Sequence, residues 1–220
     1  MRPNANSPVR PELSPRRLLA AYASGAFPMP DPEARRRMLW FSPDPRGLLP
    51  LDDRFHVPRR LRRTIRQGRF ACTLDTAFEA VMRCCADREE GTWITDEFVS
   101  AYGRLHELGL AHSVEVWPAE EFSNANADAD ARPPAGPAGG VYGVAVGGAF
   151  FAESTFHRLP DAGNVAIVHL IEHLRRQGFG LCDIQWLTPH FQRKFGAFQV
   201  PRAEYLSLLS QAIARRVRFA

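Results

Sequence analysis

The sequence predicts an α/β fold of the α+β kind, in which helices pack on a central mixed sheet. Helical and strand patterns follow one another in the order helix, helix, strand, strand, helix, strand. A length of 220 residues with 45% hydrophobic content suits one large domain, or one domain with a small appendage. No apolar run is long enough to cross a membrane and no export signal is evident, so we expect a cytoplasmic protein.

The N-terminal quarter contains few periodic stretches. Residues 1–12 are rich in proline and polar residues, which predicts disorder. A short helix follows, with Ser14 as its N-cap, Pro15 in its first position and Gly25 past its end. The proline-rich residues 26–51 predict an irregular wrap over the core.

Two amphipathic helices come next. The first covers residues 56–70, with Leu61 and Ile65 on its inner side and Gly68 at its end. The second covers residues 95–109 and has Thr95 as its N-cap. Its predicted buried stripe consists of Phe98, Tyr102, Leu105 and Leu108.

The second half of the chain supplies most of the sheet. Residues 112–117 and 141–154 alternate as strands do. Residues 118–138 between them are of low complexity and unfavourable for strands, which predicts an enlarged, mobile hairpin loop. The remaining elements are a helix from its cap Asn164 to Gly178, a strand over 180–187 and a last helix over 202–217.

Positive charge is concentrated near the N-terminus. Residues 1–70 carry 15 arginines and 6 acidic residues, whereas the rest of the chain is net acidic. The helix at 56–70 contributes a group of arginines with no acid among them: Arg59, Arg62, Arg63 and Arg66, with Arg54, Arg60 and Arg69 around them. A solvated helix face normally mixes both signs, so this group indicates a phosphate-bearing polyanion bound without sequence readout.

The strand at 180–187 carries two polar residues among apolar ones. Asp183 and Gln185 lie two positions apart and therefore point to the same face. Burying both is costly without partners, so they are candidates for a site. Glu153, at the end of the preceding apolar strand, is either a further member of that site or half of a surface salt bridge.

Other chemical patterns are weaker. His169 to His173 match the H-x-x-E-H zinc pattern, but no downstream glutamate completes it, which favours an ordinary helix surface. Cys182 faces away from its neighbour Asp183, so the pattern favours packed apolar filler over a nucleophile. The glycines near residue 148 lack a nucleotide-binding pattern. We expect neither a metal nor a cofactor.

Several stretches together resemble one family. "WFSPDPRGLLPL", "DREEGTWIT", "AYGRLHELGLAHSVEVW", "GGVYGVAVG", "AESTFHR" and "DIQWLTPH" are similar to the leucyl/phenylalanyl-tRNA–protein transferases, in the same order. The resemblance implies a small N-terminal domain, residues 1–53, on an acetyltransferase-like (GNAT) domain, residues 54–220. It also implies transfer of leucine or phenylalanine from aminoacyl-tRNA to the N-terminal arginine or lysine of a protein, which marks that protein for degradation.

The resemblance assigns roles to individual residues. Asp183, Gln185 and Glu153 become catalytic: Gln185, polarised by Asp183, positions the attacking amine and helps remove its proton, while Glu153 attracts the acceptor's positive N-terminal residue. Binding of tRNA falls to Arg59, Arg62, Arg63 and Arg66, and stacking on the terminal adenosine falls to Trp93. The aminoacyl pocket is lined by Val141, Phe150, Ala152, Thr155, Leu170 and Cys182. No metal or nucleotide is required.

Several positions depart from the family pattern, among them "AGN" at 162–164 in place of "A-S-K", and three of them leave the amino acid open. Met29 stands where the family has a tryptophan on the adenosine, Thr155 replaces a methionine, and Leu170 replaces a phenylalanine. Leucine is the first choice, with phenylalanine and methionine as alternatives. An unpaired Thr155 hydroxyl would instead favour a more polar or smaller group.

Two other classes of protein remain open. An acyl-CoA-dependent N-acetyltransferase shares the fold class, but "PDAGN" is a poor pyrophosphate-binding turn. A non-catalytic RNA-binding protein explains the arginines but gives Asp183, Gln185 and Glu153 no purpose.

Overall fold

The structure is a computed structural model that describes residues 13–31, 33, 37–89, 91–127 and 136–220. Residues 1–12, for which we expect disorder, lie outside these residues, and so does the middle of the 118–138 segment. Within them the helices are α1 Pro15–Ala23, α2 Arg59–Arg66, α3 Phe78–Ala86, α4 Asp96–Glu107, α5 Ala119–Ala127, α6 Ala162–Gln177, α7 Pro189–Phe195 and α8 Arg202–Ile213. The strands are β1 Phe27–Pro30, β2 Met38–Phe41, β3 Arg46–Leu49, β4 Phe70–Leu74, β5 Ala111–Pro118, β6 Gly139–Val146, β7 Ala149–His157, β8 Leu181–Gln185 and β9 Phe198–Val200.

Seven strands form one mixed sheet in the order β4-β5-β6-β7-β8-β3-β9. Strands β7 and β8 run parallel, and the other neighbouring pairs run antiparallel. Strands β1 and β2 form a separate antiparallel ribbon. The prediction of a mixed α/β fold with a central mixed sheet is confirmed.

Helices cover both faces of this sheet, which explains why β6 is buried along nearly all of its length. On one face, Val114 and Val141 belong to a core shared with Ile167 and Ile171 of α6. On the other face, Tyr142 and Phe151 belong to a core shared with α1, α3, α4 and α8. Among the described residues, no helix is both long enough and apolar enough to cross a membrane.

Helix boundaries at glycine agree with the sequence pattern. Helix α1 follows Ser14 and ends before Gly25, whose φ is +80°. Helix α6 ends at Gln177, and Gly178 follows with φ +82°. Such backbone angles are accessible to glycine at little cost.

Two segments predicted to be irregular are ordered. Residues 26–51 contain β1, β2 and β3, so the prediction of an irregular wrap is wrong. The prolines of β1 lie in the small ribbon, and β3 pairs inside the large sheet. The first part of the predicted 118–138 loop is helix α5, which starts directly after β5.

The predicted helix faces need three corrections. In α2, Thr64 is buried beside Leu61, whereas Ile65 is 38% exposed. Leu108 is 60% exposed because it follows the last residue of α4. Helix α6 begins at Ala162 rather than after an Asn164 cap.

Candidate active site

A cavity opens where the two parallel strands separate. Residues 149–151 of β7 pair with residues 181–183 of β8, and the pairing then stops. Strand β7 continues to His157, whereas β8 ends at Gln185, whose φ is +59°. The cavity between them has a volume of about 740 Å³.

The cavity has an apolar part and a polar part. Val141, Ala152, Ile167 and Ile184 form apolar wall, and Glu153 and Gln185 present polar groups to the same space. The aromatic and basic groups that also line it come from several elements: Phe27, Trp93, Trp186, His157, Arg158 and His190.

Asp183 lies beneath this cavity and is fully buried. Arg46, also fully buried, donates from Nε to Oδ1 at 2.9 Å and from Nη2 to Oδ2 at 2.8 Å. The Tyr205 hydroxyl donates to Oδ2 at 2.6 Å. Burial would lower the pKa of Arg46, but the Asp183 carboxylate outweighs it and raises that pKa.

Asp183 fixes Gln185 through the backbone. The Gln185 amide N–H donates to Asp183 Oδ1 at 2.8 Å, whereas the Gln185 side chain donates from Nε2 to Glu153 Oε1 at 3.1 Å. The hydrogen bonds thus join Asp183 to the backbone of Gln185 and Glu153 to its carboxamide. The predicted polarisation of Gln185 by Asp183 stays a prediction.

Gly47 allows the chain to turn at this point. It lies opposite Gln185 in the β3–β8 pairing, and a Cβ there would come within 2.6 Å of the Leu187 backbone nitrogen. No side chain fits so close to a backbone atom. Gly47 thus helps to place Gln185.

We expect Gly47→Ala to displace Gln185 and to lower the free energy of unfolding by about 1–3 kcal/mol, the usual cost of overpacking a buried position. Denaturant unfolding measures the change, and Gly103→Ala, with no atom within 4 Å of the new Cβ, is the matched control. An unchanged free energy of unfolding would show that the turn tolerates a side chain.

Glu153 makes no salt bridge within 4.0 Å in the described part of the chain, so the surface-pair alternative is not what the structure has. Burial raises its pKa to about 8, and the charge of Asp183 adds to this effect. Hydrogen bonding from Tyr22 and Tyr102, together with the charge of Arg46, acts in the opposite direction. A substantial fraction of this carboxyl is therefore protonated at neutral pH.

The predicted aminoacyl-pocket residues divide into two groups. Val141, Ala152 and Thr155 line the cavity. Phe150, Leu170 and Cys182 do not line it; they are almost fully buried in the core that packs against α6. Cys182 is thus apolar filler, and burial raises the pKa of its thiol.

The Thr155 hydroxyl has a partner. It donates to the Gly140 carbonyl at 3.0 Å. It therefore does not penalise an apolar ligand as an unpaired hydroxyl would.

Trp93 and Met29 both line the cavity, Trp93 packing edge-on against Phe98 at 5.3 Å between ring centroids. Sequence reasoning missed Trp186, which is 45% exposed on the cavity wall and packs edge-on against Phe27. An aromatic residue directly after the D-x-Q pair was the available signal. Sequence reasoning also missed Arg46 and Tyr205, which have no local signal.

All five arginines of α2 are exposed: Arg59, Arg60, Arg62, Arg63 and Arg66. Among the described residues, none of these five has a carboxylate within 4.0 Å. Arg54 differs, because it forms a bidentate pair with Asp52 at 2.8 to 3.0 Å. A groove of about 440 Å³ between α2 and α6 is lined by Arg59, Arg62 and Arg66, with Ile65 beside them.

The histidines of the H-x-x-E-H pattern have different surroundings. His173 is buried, not on the helix surface, and its Nε2 lies 2.5 Å from the Phe219 carbonyl oxygen. His169 is half-buried. In the described ranges no three side chains are grouped as metal ligands.

Comparison with known proteins shows the family to which this chain belongs. The family model "Leucyl/phenylalanyl-tRNA protein transferase" matches residues 48–210, and the model of that family's N-terminal domain matches residues 11–44. A relative from Akkermansia muciniphila, named leucyl/phenylalanyl-tRNA–protein transferase, is 46% identical over 91% of this chain and 96% of its own. A relative of the same name from Herpetosiphon aurantiacus is 45% identical over 91% of this chain and 95% of its own. Another, from Anaeromyxobacter dehalogenans, is 50% identical over 92% of this chain and 80% of its own.

Among solved structures, FemX is similar with a TM-score of 0.49 and 12% identity. The similarity covers 71% of this chain and 59% of that of FemX.

Proposed function

Because the chain belongs to the leucyl/phenylalanyl-tRNA–protein transferase family, we propose that it transfers an aminoacyl group from tRNA to the N-terminus of an acceptor protein. The observation that carries this function is the cavity at the β7–β8 separation, with Gln185 and Glu153 on its wall. Following the family resemblance, the acceptors begin with arginine or lysine, and the transfer marks them for degradation.

The reaction needs orientation more than activation. An aminoacyl ester is already reactive, and an α-amino group with a pKa of about 7.7–8.0 is partly free at neutral pH. The Gln185 side chain donates through its nitrogen to Glu153, so its oxygen can accept from the incoming amine. Asp183 supports this arrangement from below through the Gln185 backbone amide.

Leucine is the proposed donor, with phenylalanine and methionine as alternatives. Val141, Ala152, Ile167 and Ile184 offer an aliphatic wall, and the paired hydroxyl of Thr155 removes the argument for a polar group. Apolar pockets separate side chains that differ by one methylene by only about 1–3 kcal/mol.

The tRNA is proposed to run from the cavity toward α2. Trp93 on the cavity wall suits the terminal adenosine by stacking. Helix α7 lines the cavity with His190 and Phe191, and its far end contacts the segment before α2, where Phe195 stacks on Phe55 at 5.6 Å. Phosphates can thus follow this side of the molecule to the exposed arginines of α2.

The finer organisation is also a proposal. The parallel pair that separates around the cavity supports a GNAT-like core. We propose a small N-terminal domain over residues 1–53 on a domain over residues 54–220; the two share the large sheet, because β3 pairs within it. A reaction that consumes aminoacyl-tRNA belongs in the cytoplasm, and none of the proposed steps uses a metal or cofactor.

One assay separates this function from its alternatives. Purified protein is incubated with an Arg-initiated peptide and radiolabelled leucyl-tRNA, phenylalanyl-tRNA, methionyl-tRNA or acetyl-CoA. Label from leucyl-tRNA on the peptide is the expected result. Label from acetyl-CoA would identify an acetyltransferase, and tRNA binding without any transfer would identify a non-catalytic RNA-binding protein.

We expect Gln185→Ala to lower kcat about 10- to 100-fold, because the amine loses one orienting acceptor. The affinity for tRNA should stay within about twofold, since phosphate contacts dominate it. Single-turnover transfer and filter binding measure the two quantities. An unchanged rate would remove Gln185 from the reaction.

A further inference from the structure

The Glu153 carboxyl lies beside two buried tyrosine hydroxyls that have no role in the reaction proposed above. Tyr22 of α1 and Tyr102 of α4 are fully buried, and their hydroxyls hydrogen-bond each other. Each hydroxyl also interacts with the Glu153 carboxyl. Burial, followed by the nearby Glu153, raises the pKa of both tyrosines, so both stay protonated. One O–H donates to the other tyrosine, which leaves one O–H to donate to the Glu153 carboxylate.

Asp87, His157 and His190 also line the cavity, but none of the hydrogen bonds in the described part of the chain joins them to the Gln185 carboxamide, whereas Glu153 is bonded to it. The two other polar groups next to Glu153 are poor proton acceptors. Asp183 is fully buried and already accepts from Arg46, Tyr205 and the Gln185 backbone. The carboxamide of Gln185 orients but has almost no basicity. Glu153 is a carboxyl on the cavity wall that lies beside the group proposed to hold the amine.

We infer that Glu153 takes the proton from the attacking amine, and that Tyr22 and Tyr102 are positioning residues that hold its carboxylate for this task. The inference rests on the proposed aminoacyl transfer and adds a proton acceptor to it. It replaces attraction of the acceptor's side chain as the main role of Glu153.

The step balances without any further reactant. The nitrogen lone pair forms the new N–C bond at the ester carbonyl, and one nitrogen proton passes to the Glu153 carboxylate. The C–O bond to the ribose then breaks, and the same proton passes to the leaving ribose oxygen. The products are the amide and deacylated tRNA, with Glu153 again ionised.

The raised pKa of Glu153, about 8, suits this role, because it is close to that of an α-amino group. Several groups from neighbouring elements act on this carboxyl or line the same cavity: Tyr22, Tyr102, Arg46, Asp183, Gln185, Asp87, Arg88, His157, Arg158 and His190. The linked pair of tyrosine hydroxyls stabilises the charged form, so removing either hydroxyl raises the pKa of Glu153 further.

The first test compares the acidic limb of kcat/KM in the wild type and in Glu153→Gln, with leucyl-tRNA and an Arg-initiated peptide. Below the pKa of both groups, log kcat/KM should rise by about two per pH unit in the wild type, because amine and carboxyl must both lose a proton. In the variant it should rise by about one, and kcat should fall about 100-fold or more. A variant that raises only the KM for the acceptor, with kcat unchanged, would overturn the inference in favour of charge attraction.

The second test uses Tyr22→Phe and Tyr102→Phe, which remove only a hydroxyl. Each should shift the acidic limb to higher pH and recover the wild-type rate above it. The matched control is Tyr142→Phe, because the Tyr142 hydroxyl has no hydrogen-bond partner among the described residues and its removal should leave the limb in place. If the acidic limb of kcat/KM in both Tyr22→Phe and Tyr102→Phe coincides with that of the wild type, the positioning role is wrong.

The wild-type protein in the same experiment distinguishes failure of the proposed function from failure of the Glu153 assignment. A wild-type protein that transfers nothing from leucyl-, phenylalanyl- or methionyl-tRNA would overturn the proposed function itself. A wild type that transfers, with a Glu153→Gln variant that keeps its rate and its pH profile, would overturn only the assignment of Glu153.

Discussion

Replacing Arg46 with methionine should lower the free energy of unfolding by about 3–5 kcal/mol, because it leaves a charged carboxylate buried without its partner. Arg46 and Asp183 are both fully shielded from solvent, and their side chains are joined by three hydrogen bonds of 2.8 to 3.1 Å. The loss extends beyond the pair, since Arg46 also donates to the Gly25 carbonyl at 2.8 Å. Denaturant unfolding followed by circular dichroism measures the change.

The chain supplies a matched control for this prediction. Arg54 and Asp52 form a similar bidentate pair in which the side chains are 65% and 55% exposed. Arg54→Met should cost less than about 1 kcal/mol, because solvent screens an exposed pair. Adding Asp183→Asn to Arg46→Met should recover part of the lost stability, since the unpaired charge is removed. Equal costs at Arg46 and Arg54 would contradict the argument from burial.

The difference between these two arginines also marks the limit of sequence reasoning. The Arg54 pair is local and separated by two positions, whereas Arg46 and Asp183 are 137 positions apart. Only the pairing of β3 with β8 brings the second pair together. The pattern of Asp183 and Gln185 could predict that a partner is needed, but not which residue supplies it.

The secondary structure was predictable where one periodicity dominates. Helix α6 and strands β5 and β8 each have a clear hydrophobic pattern and clear end signals in the sequence, and the structure confirms all three predicted elements. The short strands β1, β2 and β3 were missed, because their pairing depends on distant segments rather than on four-residue propensities.

Assigning the cavity wall was harder than finding the core. Phe150 and Cys182 lie opposite each other where β7 and β8 are still paired, and so they pack in the core. Ala152 and Ile184 lie on the same face two residues further along, past the separation of the strands, and line the cavity. Glu153 looked isolated in sequence, since its tyrosine neighbours come from α1 and α4, far away along the chain. Only the three-dimensional structure shows that Glu153 is part of a site.

Removing the charge of Arg59, Arg62, Arg63 and Arg66 by substitution with alanine should weaken tRNA binding by roughly three orders of magnitude at about 0.1 M salt. Each arginine–phosphate contact releases counterions, so the slope of log Kd against log salt should fall by about three to four. The four side chains are exposed and none has a carboxylate within 4.0 Å among the described residues, so they are available for phosphate. Filter binding over a range of salt concentrations measures both quantities.

The fold should survive this change, because the buried contacts of α2 come from Leu61 and Thr64, which remain. A control with the same loss of charge replaces four exposed arginines outside α2 and the cavity: Arg16, Arg17, Arg216 and Arg218. A specific phosphate contact predicts a much smaller loss of slope in the control, since long-range attraction alone is largely screened at this salt concentration. If both variants lose the same affinity and the same slope, net charge rather than α2 attracts the tRNA, and the proposed path from the cavity along α7 to α2 is wrong.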